Sequence, residues 1–161
     1  PAMLRLEVPE AALAGSHRIA SLERLRAMGV RITVDDFGAG YSSLGQLKGL
    51  PIDQIKIDRR FLADRGGDAR DRAILGGLLS LSAALGVEVV AEGVEQPEQL
   101  GLLQDLGCAS FQGYLFARPM PAGQVPAWLD GWRCRAAGLQ QACGPLIPAP
   151  LLVAGTASSA P

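Results

Sequence analysis

The chain alternates between two patterns of hydrophobic and polar positions. Five short stretches in which apolar side chains fall at every second position, or run almost continuously, predict β-strands at residues 4–8, 30–35, 52–58, 87–92 and 109–116. Between most of them, apolar side chains recur every three or four positions. That spacing predicts amphipathic helices from about Ser16 to Met28, from about Arg70 to Leu85, from Pro97 to a stop at Gly107, and over 125–132.

Strands joined by helices predict right-handed crossovers and a parallel sheet. Polar side chains stand at the ends of successive strands, as in the active face of a (β/α) barrel. An open, doubly wound sheet is the competing architecture, and the barrel is favoured because chemistry follows nearly every strand. Five strands cannot close an eight-stranded barrel. The predicted fold is therefore α/β, an incomplete (β/α)8 TIM-barrel type with about five strands and four helices.

Composition sets the outer bounds. With 48% hydrophobic and 19% charged residues, the 161-residue chain is that of a globular protein. We expect one domain at 1–133 and a disordered, Ala/Gly/Pro-rich tail at 134–161. With 15 basic and 16 acidic residues, the chain does not have the excess of positive charge that is typical of proteins that bind duplex nucleic acid. The apolar stretch 145–155 is too short to span a bilayer, and three cysteines without C-x-x-C spacing or a visible leader predict reduced thiols and a cytoplasmic location.

Two adjacent acids, Asp35 and Asp36, close the second predicted strand, and a glycine-rich loop follows at once. Lys56, Glu92 and Gln112 stand at later strand ends. Oxygen ligands without histidine or thiolate suit Mg²⁺ or Mn²⁺ better than Zn²⁺. Adjacent acids could serve two ions a few ångströms apart, the arrangement used for in-line phosphodiester hydrolysis.

Strand parity refines this expectation. Asp35 shares a face with Thr33, Lys56 shares one with Gln54 and Asp58, and Gln112 shares one with Ser110 and Tyr114. Each residue alone also has a plainer interpretation, since an acid at a strand end can cap a helix and an amide can satisfy backbone groups. The functional interpretation rests on their occurrence together.

Four motifs now carry a resemblance to a known family. They are Asp-Asp-Phe-Gly-Ala-Gly-Tyr-Ser-Ser-Leu at 35–44, Asp-Gln-Ile-Lys-Ile-Asp at 53–58, Val-Ala-Glu-Gly-Val-Glu at 90–95 and Phe-Gln-Gly-Tyr-Leu-Phe at 111–116. Over about residues 1–133 the chain resembles the C-terminal half of the EAL-domain cyclic-di-GMP phosphodiesterases. The resemblance implies hydrolysis of cyclic-di-GMP to linear pGpG with a two-ion Mg²⁺ or Mn²⁺ site.

The resemblance also implies residue roles. The metal ligands would be Glu7, Asp35, Asp36 and Glu92. Lys56 would contact the attacking water, Glu92 would also act as the base that activates it, and Gln112 would be an active-site amide. Glu10 would order a loop tied to metal binding and dimerisation, whose motif residues are Phe37, Gly38, Gly40, Ser42 and Ser43. Asp58 and Glu95 are further motif positions.

Two departures accompany the resemblance. Pro9 stands where the family usually has threonine, and it removes a backbone donor beside a presumed metal ligand. The family's Glu-Ala-Leu motif and its metal-binding asparagine belong to an N-terminal half that the sequence does not contain. Three alternatives stay open: half of an enzyme that works as a homodimer and is often fused to GGDEF or sensor domains, a degenerate domain that senses the nucleotide without cleaving it, and an unstable fragment with aggregation-prone edges.

Overall fold

The computed structural model describes residues 4–13, 16–38, 49–62 and 69–132. Within them, five strands form one sheet: β1 (Arg5–Pro9), β2 (Arg31–Phe37), β3 (Gln54–Ile57), β4 (Glu88–Ala91) and β5 (Ser110–Phe111). Neighbours in the chain are neighbours in the sheet, and every pair is parallel. Across the five described strands the order never reverses, so this part of the sheet has no switch point of the doubly wound kind, and the incomplete barrel is the arrangement that fits.

The described helices are α1 (Ser16–Ala27), α2 (Ala69–Leu85), α3 (Pro97–Asp105) and α4, which covers residues 125–132. The predicted positions of all four are confirmed to within a few residues. In these described parts of the chain, no helix is long and apolar enough to cross a membrane. The predicted tail, 134–161, lies outside the described residues.

The two faces of the sheet have opposite characters. The β-branched side chains of β2 and β3 are fully buried in a core with the leucines of α2 and α3: Ile32, Val34, Ile55, Ile57, Leu75, Leu100 and Leu103. On the other face, Thr33 Oγ1 donates to Gln54 Oε1 at 3.3 Å, and Gln54 Nε2 donates to Glu88 Oε2 at 3.3 Å. The predicted alternation of Thr33, Gln54 and Lys56 against the isoleucines and Val34 is therefore present.

The fifth strand is shorter than predicted. It ends at Phe111, and residues 113–116 form a turn, so Tyr114 does not share a strand face with Gln112. The backbone of Gly113 passes that of Val94 so closely here that any side chain at Gly113 would collide with it. Leu115 N–H then donates to Val94 O at 3.0 Å, and Phe116 N–H donates to Gly113 O at 3.1 Å.

The buried stripe of α2 is narrower than predicted. Leu75, Leu78, Leu79 and Ser82 are buried, whereas Ile74 and Leu85 are 46% and 38% exposed. At about 100° per residue, those two side chains lie at one margin of the arc that the buried four define. The tryptophans of α4 do pack the helix onto the domain, since the Trp132 ring lies 5.9 Å from that of Phe116, which lies 6.3 Å from that of Phe111.

Candidate active site

The face of the sheet that carries Thr33, Gln54 and Lys56 is called the inner face. Lys56 is at the centre of a polar cluster on it. Its ammonium, on a side chain only 10% exposed, lies 2.7 Å from Glu92 Oε1, 2.9 Å from Glu7 Oε1 and 3.4 Å from Asp35 Oδ1. The three carboxylates come from β1, β2 and the end of β4, because parallel strands bring their carboxyl ends to one edge. Three residues predicted from separate motifs therefore meet at one point with Glu7, the ligand predicted on the first strand.

A β-bulge turns the two adjacent acids toward the same cluster. Val34 pairs with Ile55 and Phe37 with Ile57, so both Asp35 and Asp36 stand opposite Lys56 alone. Asp36 has a φ of 53°, in the left-handed region that few residues other than glycine, Asn and Asp adopt. Strict alternation would point Asp36 toward the core. The bulge is what allows neighbouring carboxylates to serve one site.

Asp35, Asp36 and Glu92 form a group that fits a cation. Each offers a carboxylate oxygen, and these oxygens all lie within 4.8 Å of one another. Asp35 Oδ1 is buried and accepts no hydrogen bond, although the Lys56 ammonium is 3.4 Å away. A buried carboxylate oxygen without a donor, in an all-oxygen set, suits a hard divalent cation. Glu7 is not in this group and contacts Lys56 instead.

The charges of the cluster perturb one another. Burial opposes the charge of Lys56, but its hydrogen bonds to Glu92 and Glu7 outweigh that effect and raise its pKa. Burial raises the pKa of Glu92 as well, with Asp35 and Glu7 adding to the rise and Lys56 opposing it. Lys56 therefore stays charged, while Glu92 is a stronger base than an ordinary glutamate.

Asp58, predicted as part of the third strand, lies directly after β3 and supports Asp36 from there. Asp58 Oδ1 accepts hydrogen bonds from the backbone N–H of Arg60 at 2.7 Å and from its Nε at 3.0 Å. Burial alone would raise the pKa of Asp58, but these donors outweigh it and lower the pKa. Asp36 has the opposite shift, since burial, followed by the charges of Asp35 and Asp58, raises its pKa. The site therefore places one carboxyl that binds a proton readily beside one that does not.

A cleft of about 300 Å³ opens beside the acidic group. It is lined by Asp36, Asp58, Arg59, Glu92, Gly93, Glu95, Gln112, Gly113 and Tyr114. Gln112, the predicted active-site amide, and Glu95, a further motif position, both line this cleft. The sequence interpretation missed Arg59 and Tyr114 as lining residues. The available signal was sequence position, since Arg59 directly follows the second motif and Tyr114 lies within the fourth.

Glu10 holds the start of the glycine-rich loop. It is buried, opens a short 3-10 helix after β1, and its Oε2 accepts a hydrogen bond from Gly38 N–H at 2.9 Å. Gly38 has a φ of 90°, and a side chain there would collide with the Phe61 ring. Phe37 is buried in the core. The other loop residues predicted to act, Gly40, Ser42 and Ser43, lie outside the described residues.

Comparison with known proteins decides the family. The family profile described as EAL domain matches residues 1–119. The chain belongs to the EAL domain family. NbdA of Pseudomonas aeruginosa, a cyclic di-GMP phosphodiesterase, is 45% identical over 136 residues, which are 83% of this chain and 17% of NbdA.

Solved EAL structures have the same arrangement of strands and helices. The MucR phosphodiesterase in complex with c-di-GMP, from the same organism, has a TM-score of 0.72 and 47% identity over 78% of this chain and 51% of that one. BlrP1 of Klebsiella pneumoniae, solved with manganese and cyclic-di-GMP, has a TM-score of 0.70 and 37% identity over 74% of this chain and 31% of that one. The EAL chain is thus a partial TIM-barrel-type domain, whose matched part spans about half of the solved MucR phosphodiesterase.

Proposed function

We propose that this EAL chain supplies the C-terminal half of a barrel that hydrolyses cyclic-di-GMP to linear pGpG with Mg²⁺ or Mn²⁺. The observation that carries the proposal is the meeting of Asp35, Asp36 and Glu92 within 4.8 Å, with the Lys56 ammonium 2.7 Å from Glu92. The relatives support it, since NbdA is named for this activity and BlrP1 was solved with manganese and the nucleotide.

Asp35, Asp36 and Glu92 would hold the cations, with Glu7 close by. Bound divalent cations would neutralise the phosphate oxygens and lower the pKa of the attacking water. Lys56 holds the Glu92 carboxylate in place and can donate a hydrogen bond to that water. Glu92, which lies 2.7 Å from the Lys56 ammonium, accepts the proton as water attacks phosphorus. The bond to the ribose 3′ oxygen breaks, and that oxygen takes up a proton from solvent. Gln112 can hydrogen-bond the nucleotide from the cleft wall.

Three further assignments belong to the proposal. Cyclic-di-GMP is the partner of the cleft, the loop after Gly38 contributes to a homodimer, and the protein works in the cytoplasm. A GGDEF or sensor module in the same protein would fit MucR, whose name joins diguanylate cyclase to phosphodiesterase. The alternative, a sensor that binds the nucleotide without cleaving it, uses the same cleft and is an outcome of the experiment below.

The experiment measures cyclic-di-GMP hydrolysis with Mn²⁺ on two proteins. One is this chain, and the other, called the completed barrel, carries the N-terminal half of the MucR phosphodiesterase domain ahead of Arg5. We expect hydrolysis to pGpG by the completed barrel alone, because both edges of the sheet need partners to enclose the site.

Glu92→Gln should lower that hydrolysis by at least about a hundredfold, since it removes a metal ligand and the proton acceptor. Glu98→Gln, the same exchange at an exposed position of α3, is the matched control and should leave the rate unchanged. A completed barrel that binds the nucleotide without cleaving it would replace the phosphodiesterase proposal by the sensor. Unaltered hydrolysis in Glu92→Gln would exclude the proposed base.

A further inference from the structure

The cleft is strongly acidic, which poses a problem for an anionic ligand. Four carboxylates line it: Asp36, Asp58, Glu92 and Glu95. Cations held by the acidic group would neutralise the end of the cleft near β2 and β4. The remaining length still has to accept a nucleotide that carries two phosphates. Arg59 is the basic side chain among the described residues that line the cleft, so it is the natural counter-charge.

The position of Arg59 is set by a glycine shortly after the end of the next strand, β4. Arg59 opens the 3-10 turn Arg59–Leu62, which follows β3 after Asp58. Its stem crosses Gly93, so close that a side chain added there would lie 2.5 Å from Arg59 Cβ and 3.4 Å from Cδ. Gly93, at a φ of 68°, thus leaves a slot that seats the stem beside the cleft.

The adjacent arginine shows what is distinctive about this one. Arg60 already forms an ion pair within the protein, since its Nε lies 3.0 Å from Asp58 Oδ1. The Arg59 guanidinium, by contrast, makes no hydrogen bond or ion pair with the described part of the chain, and the residue is exposed. A guanidinium that lines a cleft without a protein partner retains its donors for a ligand.

We propose that Arg59 is a substrate-binding residue that donates two parallel N–H groups to the cyclic dinucleotide. This inference rests on the proposed function and deepens it. The guanidinium fork matches two kinds of paired acceptor in that ligand: the non-bridging oxygens of the phosphate that is not cleaved, and the O6 and N7 atoms of a guanine. In both cases Arg59 contributes binding, and the chemistry stays with the acidic group and Lys56.

The test uses Arg59→Met and Arg59→Lys in the completed barrel. Methionine retains an aliphatic stem over Gly93 without any donor, and lysine retains the charge without the fork. The measurements are kcat and KM for cyclic-di-GMP and the inhibition constant of cyclic-di-AMP. Arg24→Met, at an exposed position of α1 away from the cleft, is the matched control.

Arg59→Met should raise KM by at least about tenfold and leave kcat within about twofold, with little rescue by lysine. An equal weakening of cyclic-di-AMP inhibition assigns the fork to the phosphate. Weakening confined to cyclic-di-GMP assigns it to the guanine edge, because adenine has a donor where guanine has O6.

The two proposals fail in different ways. A completed barrel that neither binds nor cleaves cyclic-di-GMP overturns the proposed function whatever the Arg59 variants do. If the barrel is active and Arg59→Met behaves like Arg24→Met, the assignment of Arg59 is wrong and the function stands. A fall in kcat at constant KM would also overturn it, because that result indicates disturbance of the acidic group, not a lost binding contact.

Discussion

Asp36 combines a strained backbone with a crowded charge. Its φ of 53° costs most L-residues about 1 kcal/mol or more, and its carboxyl lies beside those of Asp35 and Asp58. Both features are unfavourable in the protein without a bound ion. Both are explained if Asp36 is a metal ligand. The bulge turns its carboxylate toward the site, and a bound cation offsets the repulsion between the neighbouring carboxylates. The residue is thus shaped for a bound state.

Asp36→Asn and Asp36→Ala separate the backbone from the charge. Each removes the carboxylate, so hydrolysis by the completed barrel should fall at least about a hundredfold in both. Asparagine tolerates the left-handed region and alanine does not, so the alanine variant should be less stable than the asparagine variant by about 1 kcal/mol. Urea unfolding followed by circular dichroism measures the difference, and equal stability would show that the φ of Asp36 is unstrained.

The hydrogen bonds from Arg60 to Asp58 should make the free energy of unfolding depend on pH. Because the pKa of Asp58 is lowered from 3.8, its ionised form stabilises the folded state above that value, and the contribution disappears as pH falls through the lowered pKa. Arg60→Gln removes the guanidinium and keeps the backbone N–H. With Arg60 63% exposed, the variant should lose no more than about 1 kcal/mol of unfolding free energy at pH 6.5.

That loss should shrink toward zero as the pH falls below 3.8, where Asp58 begins to take up a proton in the unfolded chain. Urea titrations at pH 6.5 and near pH 3 measure it, with Arg24→Gln as the exposed control. A loss that is constant with pH would mean that Arg60 acts through packing alone.

At the scale of the elements, regular patterns were predictable and local backbone contacts were not. Alternation along β2 and β3 gave the buried isoleucines, and motif order gave the meeting of Lys56 with Glu7, Asp35 and Glu92. The alternation of side chains along β2 did not predict the bulge at Asp36. A bulge is an extra residue relative to the neighbouring strand, so it can be recognised only once the pairing with β3 is known. The early end of β5 was not predicted either, since it depends on Gly113 touching Val94, which is distant in sequence.

Gly113→Ala tests the close approach that ends β5. Its Cβ would meet the Val94 backbone, which cannot rotate away, so we expect a loss of about 2 kcal/mol or more and a displaced Gln112. Gly101→Ala is the opposite case, because the added Cβ within α3 meets nothing within 4 Å and alanine favours helix. That control should gain about 0.5–1 kcal/mol. Urea midpoints compare the two, and a harmless Gly113→Ala would mean that the turn has another cause.

At the scale of the molecule, one face of the described sheet is covered by helices and the other, the inner face, is not covered. The sheet and the helices enclose an apolar core, whereas the inner face carries Lys56, Glu7 and Glu88 with no opposite wall. Ion pairs there, such as those of Arg5 and Arg31 with Glu88 at 3.5 and 3.6 Å, are partly exposed and contribute little alone. Closure by further strands would exclude water from these charges and pair the free edges of β1 and β5.

The rate at which the Cys108 thiol is labelled should report whether the sheet is closed by further strands. Its thiol is 2% exposed beside β5, and burial raises its pKa, so it should react slowly with a disulfide reagent at pH 8. Among the described residues of this chain, β5 pairs with β4 alone and has only two residues, so local opening should be frequent. With Cys134 and Cys143 replaced by serine, we expect labelling of the completed barrel to be at least about tenfold slower than that of this chain. Both should be far slower than the urea-unfolded protein. Equal rates in the two folded proteins would show that the edge at β5 is already stable, and that closure of the barrel serves the active site without strengthening the core.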